Sequence, residues 1–244
     1  MNEEMLRRGV AEFIGTFTLI FIAGGAGISV GVFAPNASWL VAVALANGLA
    51  IGIMVSNLGH ISGGHFNPAI TLGFLTTRRI APAMAGVYWG AQLLGASVAA
   101  FVLRFLTSQL AVQKGATPMP SAGTTDAKAV VIELILTFFL VWTVWAMAVD
   151  ERGAFKAVAG LGIGLMITAG VLMGGRYTGG AMNPARAFGP ELAGKVWTGW
   201  WIYWIGPIVG AILASWLYES LYLSSQKPPA VAPAAAEPGE TAAS

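Results

Sequence analysis

Apolar residues fall in six long runs, and the polar ones collect in short stretches between them. The runs extend from about Gly9 to Val32, Trp39 to Leu58, Pro82 to Leu106, Lys128 to Val149, Ala157 to Gly174 and Trp197 to Tyr222. A helix needs about 20 residues to cross a bilayer core, and each run is near that length. Two further apolar stretches, Pro68 to about Thr77 and Pro184 to about Ala193, are too short to cross. The pattern predicts an all-α integral membrane fold with six transmembrane helices and two re-entrant half-helices. Composition agrees: 56% of residues are hydrophobic and 10% charged, whereas soluble domains carry about 25% charge.

The second half of the chain repeats the first. Each half holds one paired glycine followed by Asn-Pro-Ala, at Gly63-Gly64 with Asn67-Pro68-Ala69 and at Gly179-Gly180 with Asn183-Pro184-Ala185. Glu12 and Thr16 match Glu133 and Thr137, and Tyr88-Trp89 matches Tyr203-Trp204. Three spans per half is an odd number, so the repeats must be inverted about an axis in the membrane plane. One domain over residues 1–223 is expected, with repeats at about 4–106 and 127–223 and a disordered Pro/Ala-rich tail at 224–244. The polar loop from Thr107 to Asp126 divides the halves.

Charge sets the orientation and removes several functions. Arg7, Arg8, Arg78, Arg79, Arg152, Lys156 and Lys227 lie on one side, against Lys114, Arg176 and Lys195 on the other, which puts both termini in the cytoplasm. That side assignment suits a plasma (inner) membrane. Arg7-Arg8 leads into a run that carries Glu12 and is long enough to span, so it is read as the first helix and not as a cleaved signal. A net charge of +2 with scattered basic residues argues against nucleic acid. The chain has no cysteine, which removes disulfides, thiol catalysis and Cys-based metal sites. No cofactor, metal or catalytic residue is implied, and the expected partners are lipid and small molecules.

The doubled stretch carries the chemistry. In each copy the glycines permit a tight non-helical backbone, proline suits a first helical turn, and asparagine falls at the N-cap. Half-helix N-termini carry roughly +0.5 charge each, so two facing one another oppose cations. Asn67 and Asn183 can cap their own helices through the carboxamide oxygen and point their NH₂ groups at a passing water. Water held by its oxygen turns its hydrogens outward, and this breaks the relay that proton hopping needs. Carbonyls of residues 60–66 and 176–182 offer further acceptors, so Gly63, Gly64, His65, Gly179 and Ala181 are candidate lining residues.

Six spans, an inverted duplication and two Gly-Gly-x-x-Asn-Pro-Ala loops, the second followed by Arg186, resemble the aquaporin or major intrinsic protein family. The resemblance covers about Glu4 to Leu223 and implies a narrow pore in each subunit of a homotetramer. It also implies a constriction built from Asn47, Val171, Gly180 and Arg186. Strict water channels of the family carry an aromatic residue and a histidine at the first two positions. The smaller residues here are nearer to plant tonoplast and nodulin-type channels and imply passage of water with urea, ammonia or glycerol. Strict water selectivity is the alternative, and Tyr203-Trp204 is the cue for it.

Charged residues inside spans need a reason. Arg186 must face water or carbonyls, while Glu12 and Glu133 can satisfy loop N–H groups as scaffolds. A secondary transporter would use those glutamates to couple protons, but they stand in ordinary spans and not at the breaks. An intramembrane hydrolase drawn from Ser62 and His65 lacks a Gly-x-Ser-x-Gly setting. His65 either lines the pore or holds the loop, and His60 is read as structural. Gly48, Gly52, Gly90, Gly95, Gly160, Gly164, Gly206 and Gly210 suit close helix crossings. Trp39, Trp197, Trp200 and Trp201 suit the membrane interfaces.

Overall fold

A computed structural model describes residues 2–33, 39–153 and 156–223. The expected turn at Pro35 and Asn36 and the expected tail at 224–244 lie outside the described residues. The helices are α1 (Glu3–Gly31), α2 (Trp39–Ser62), α3 (Pro68–Thr76), α4 (Pro82–Leu106), α5 (Asp126–Val149), α6 (Ala159–Gly174), α7 (Pro184–Gly194) and α8 (Ile202–Leu223). Prolines open α3, α4 and α7, where a missing N–H costs nothing. Asn2 caps α1 by accepting from Met5 N at 2.8 Å.

Among the described residues, five of these helices are long and apolar enough to cross a membrane. The sixth expected span, α6, is the short one at 16 residues, extended by a 3₁₀ turn over Lys156–Val158. Some boundaries and one loop differ from the expectation, and α1 already begins at Glu3, ahead of Gly9. Helix α2 runs on past Leu58 to Ser62, because its last turn feeds straight into the first glycine pair. Helix α8 begins at Ile202 and not at Trp197, because residues 197–201 form turns in which Gly199 has φ +67°. The stretch from Thr107 to Asp126, expected as a polar loop, contains a π-helical turn at Val112–Ala116 with Val112 and Ala116 buried. Its apolar residues are too few to register as an element in the sequence.

Packing follows the duplication. Helix α1 lies on α4 as α5 lies on α8, and α2 crosses α6 at the centre. There Gly48 and Gly164 meet reciprocally: a methyl on Gly48 would stand 2.3 Å from the Gly164 carbonyl oxygen, and one on Gly164 2.4 Å from that of Gly48. Gly90 departs from the expected role, since nothing lies within 4 Å of where its Cβ would be. It faces outward at a groove between α1 and α4. Leu49 and Ile53 on α2, Leu161 and Leu165 on α6, and Leu213 and Trp216 on α8 are exposed, as lipid-facing side chains are.

Candidate functional site

The two loops between spans and half-helices are held in a backbone shape that few residues adopt. Gly63 and Gly64 have φ of +87° and +65°, and Gly179 and Gly180 of +89° and +58°. Phe66 and Met182, neither of them glycine, sit at φ +48° and +52° directly before the asparagines. Such left-handed residues cost free energy and persist only when their surroundings hold them. Glu12 Oε1 accepts from the Ser62 hydroxyl at 2.7 Å and His65 N at 3.0 Å, and Oε2 accepts from Phe66 N at 2.6 Å. Glu133 does the same for Thr178 Oγ1, Ala181 N and Met182 N at 2.6, 2.9 and 2.7 Å. Tyr88 donates to the Ser62 carbonyl and Tyr203 to the Thr178 carbonyl, both at 2.6 Å.

With the loops fixed, the half-helices meet N-terminus to N-terminus. Asn67 Oδ1 accepts from Ala69 N at 2.9 Å, and Asn183 Oδ1 from Ala185 N at 2.9 Å and Arg186 N at 3.2 Å. The amide nitrogens cross over: Asn67 Nδ2 donates to the Met182 carbonyl at 2.8 Å and Asn183 Nδ2 to the Phe66 carbonyl at 2.9 Å. One N–H of each asparagine is therefore spent on joining the halves, and one remains. Pro68, Ala69, Pro184 and Ala185 are buried in the helix starts.

Both asparagines line a narrow cavity of about 30 Å³, together with Gly63, Gly64, His65 and Ala181 among others. At roughly 10–15 Å³ per water, this is room for about two. Wider cavities adjoin it on either side. One of about 210 Å³ contains Lys114, Val171, Gly179 and Arg186, and one of about 530 Å³ contains His60, Gly63 and Arg79. Arg186 lines the narrow cavity and the first mouth, and Gly63 lines the narrow cavity and the second. Among the described residues, neither mouth is lined by a carboxylate.

Arg186 is 6% exposed. Its Nη1 donates to the Ala116 carbonyl at 2.8 Å, and its Nε reaches Asn47 Oδ1 at 3.5 Å. Asn47 itself donates to the Val43 carbonyl at 2.8 Å. Of the four residues placed at the constriction by sequence, Asn47 and Arg186 touch, and Val171 shares the first mouth with Arg186. Gly180 is buried behind them, where its Cβ would lie 3.2 Å from Val171 Cα. His65 is buried, with Nδ1 3.1 Å from Thr71 Oγ1 and its ring 4.2 Å from that of Phe74. His60, read as structural, is an exposed lining residue of the second mouth.

Some partners escaped the sequence reading. Gln92 Nε2 donates to Glu12 at 2.8 Å and to Thr71 at 3.0 Å, and Ala116 supplies only a carbonyl, which no side-chain motif marks. Tyr88 and Tyr203 were visible as a repeated pair, and that repetition was the signal of a shared task.

A family model described as major intrinsic protein matches residues 1–218. The chain belongs to the major intrinsic protein family. It is 42% identical to "Aquaporin TIP4-2" of Zea mays over 89% of this chain and 86% of that one. It is 40% identical to "Aquaporin TIP2-1" of Arabidopsis thaliana over 91% of this chain and 90% of the relative. Among solved structures, the aquaglyceroporin from Plasmodium falciparum superposes with a TM-score of 0.81 at 25% identity, covering 90% of this chain and 98% of that one. The fold is that of an aquaporin, an integral multi-pass membrane channel, and family and relatives together make it a passive water channel.

Proposed function

We propose that water crosses this channel in single file past Asn67 and Asn183, that small neutral solutes such as urea, ammonia or glycerol also pass, and that ions and protons do not. The observation that carries this reading is the pair of asparagines at opposed helix N-termini lining a narrow cavity with room for about two waters. Each asparagine keeps one free amide hydrogen after the crossed bonds, enough to donate to the oxygen of the central water. Such a water cannot accept a proton from its neighbour along the file. The two helix ends add positive potential there, and Lys114 and Arg186 add it at the first mouth.

Solute passage is the finer part of the proposal. Asn47 and Val171 are smaller than an aromatic residue and a histidine, and Gly180 adds no side chain. The small central volume favours a second reading, strict water selectivity. Stopped-flow measurements on proteoliposomes with urea, glycerol and ammonia separate the two. Solute flux above that of empty vesicles, non-saturating and unaffected by Na⁺ or H⁺ gradients, is the expected result, and water flux alone supports the second reading. The transporter alternative is weakened because Glu12 and Glu133 are both engaged by loop donors. A hydrolase is weakened because the Ser62 hydroxyl donates to Glu12 while His65 Nδ1 faces Thr71.

The proposal extends to assembly and place: one domain over residues 1–223, a homotetramer in lipid, and a plasma membrane with both termini cytoplasmic. Cross-linking in membranes tests the first pair. Fractionation against plasma-membrane and vacuolar markers tests the last, a contrast that matters because the relatives are TIP-type aquaporins.

A further inference from the structure

The guanidinium of Arg186 has one good anchor, the Ala116 carbonyl at 2.8 Å, since its contact with Asn47 is at the limit of a hydrogen bond at 3.5 Å. What fixes that carbonyl lies outside every motif. The turn Val112–Ala116 is wedged between α1 and the far end of α7. On the α1 side two glycines interlock: a methyl on Gly27 would stand 2.0 Å from the Gly115 carbonyl oxygen, and one on Gly115 2.6 Å from Ile28 Cα. These are backbone atoms that cannot step aside as a side chain can. On the α7 side Thr117 Oγ1 donates to the Val112 carbonyl at 3.0 Å and reaches the Pro190 carbonyl at 3.3 Å. A methyl on Gly194 would stand 3.2 Å from Thr117 Oγ1 and 3.3 Å from Gln113 Cα, so the helix end and the turn are closely packed.

We propose that the contact between Gly27 and Gly115 positions the Ala116 carbonyl and thereby holds the Arg186 side chain against the wall of the conduit. Gly27 and Gly115 are positioning residues that act on flux only through Arg186. Displacing the turn leaves a buried guanidinium with five donors and one long contact. Losing a charge-assisted bond of this kind shifts its conformational balance about tenfold or more. The acceptors left to it are in the lumen, so it swings inward and narrows the path. The inference rests on the reading of Arg186 as a constriction residue.

The test uses the full chain in proteoliposomes, with Gly27→Ala and Gly115→Ala each made alone and together with Arg186→Val, and permeability normalised to folded protein by size-exclusion chromatography. Each single glycine variant should lower water permeability several-fold, and each double variant should match Arg186→Val alone. Gly25→Ala is the control, because its Cβ would meet only Leu103 Cδ2 at an ordinary 3.5 Å. It should conduct like the parent. Glycine variants that fold and conduct like the parent overturn the proposal. So do double variants as slow as the singles, since the turn would then obstruct the path by itself. If neither glycine variant folds, Thr117→Val carries the test: it keeps the shape, removes one tether, and should lower flux in a way that Arg186→Val abolishes. Unchanged flux in it overturns the proposal. An inactive parent protein would overturn the channel reading instead, so the two failures are distinguishable.

Discussion

The two halves of the molecule match closely at the midplane and differ at the mouths. Glu12 and Glu133 hold equivalent loop atoms, Tyr88 and Tyr203 hold equivalent carbonyls, and each asparagine crosses to the other loop. Away from the midplane the offset of 116 between the motifs pairs Arg186 with Ile70 and Asn47 with Ile163. The end of the path at Arg186 thus carries a guanidinium and a carboxamide where the opposite end carries two isoleucines. In the proposed function, what both halves keep orients water and what they do not share selects, one selective site in series being sufficient. At the glutamates one further bond is one-sided, that of Gln92 to Glu12, since Pro207 occupies the matching place in α8.

The largest effect should come from removing the shared part. Glu133→Leu leaves the Ala181 and Met182 N–H groups buried without an acceptor, at roughly 1–3 kcal/mol each, and the Thr178 hydroxyl with only the Gly174 carbonyl at 3.4 Å. Folded yield and thermal stability in detergent should collapse. Glu12→Leu should be damaging but milder, because the Gln92 side-chain oxygen has no partner and can turn to a loop donor. Equal loss in both variants would break the asymmetry, and normal yield and flux in Glu133→Leu would remove the scaffold role. Next in size is the contrast at the mouths. Arg186→Val should admit larger or charged permeants while Ile70→Val leaves selectivity unchanged, read as reflection coefficients and conductance in planar bilayers. Equal responses would mean that selection is not confined to the end at Arg186.

A smaller, sharper change is Asn47→Phe with Val171→His. It should suppress urea or glycerol flux and spare much of the water flux. Unchanged solute flux would show that these side chains do not set the width. The smallest expected effect concerns a clasp present in the second half only. Asp150 accepts from Arg152 Nη2 at 2.6 Å and from the Tyr218 hydroxyl at 3.1 Å, and the Arg152 guanidinium holds its carboxyl below the usual carboxylate range. A lowered folded-state pKa means the stabilisation is present above the unfolded value of about 4 and fades as pH falls below it. Asp150→Asn should therefore lower Tm slightly at pH 7, with the difference shrinking under acid. A constant difference across pH would show the clasp is not ionic.

Much of this was legible in the sequence because membrane chemistry leaves few options. Long apolar runs could only be helices, and a repeated Gly-Gly-x-x-Asn-Pro-Ala could only be a broken one. Glu12 and Glu133 were legible because charge in a span demands a partner. Less legible were features carried by backbone alone: the Ala116 carbonyl, the crossing of the asparagine amides to opposite loops, and the interlock of Gly27 with Gly115. Their side chains give no sign of the contact. Residues 197–201 misled because their tryptophans are apolar, although Gly199 at φ +67° breaks the helix there.

Passage of water without protons through the shared midplane is measured in proteoliposomes carrying an internal pH-sensitive dye, with osmotic shrinkage and proton leak recorded on the same vesicles. Shrinkage much faster than in empty vesicles, with proton leak no greater than theirs, is the predicted result. Shrinkage no faster than in empty vesicles, or a proton leak that rises with the water flux, would contradict it.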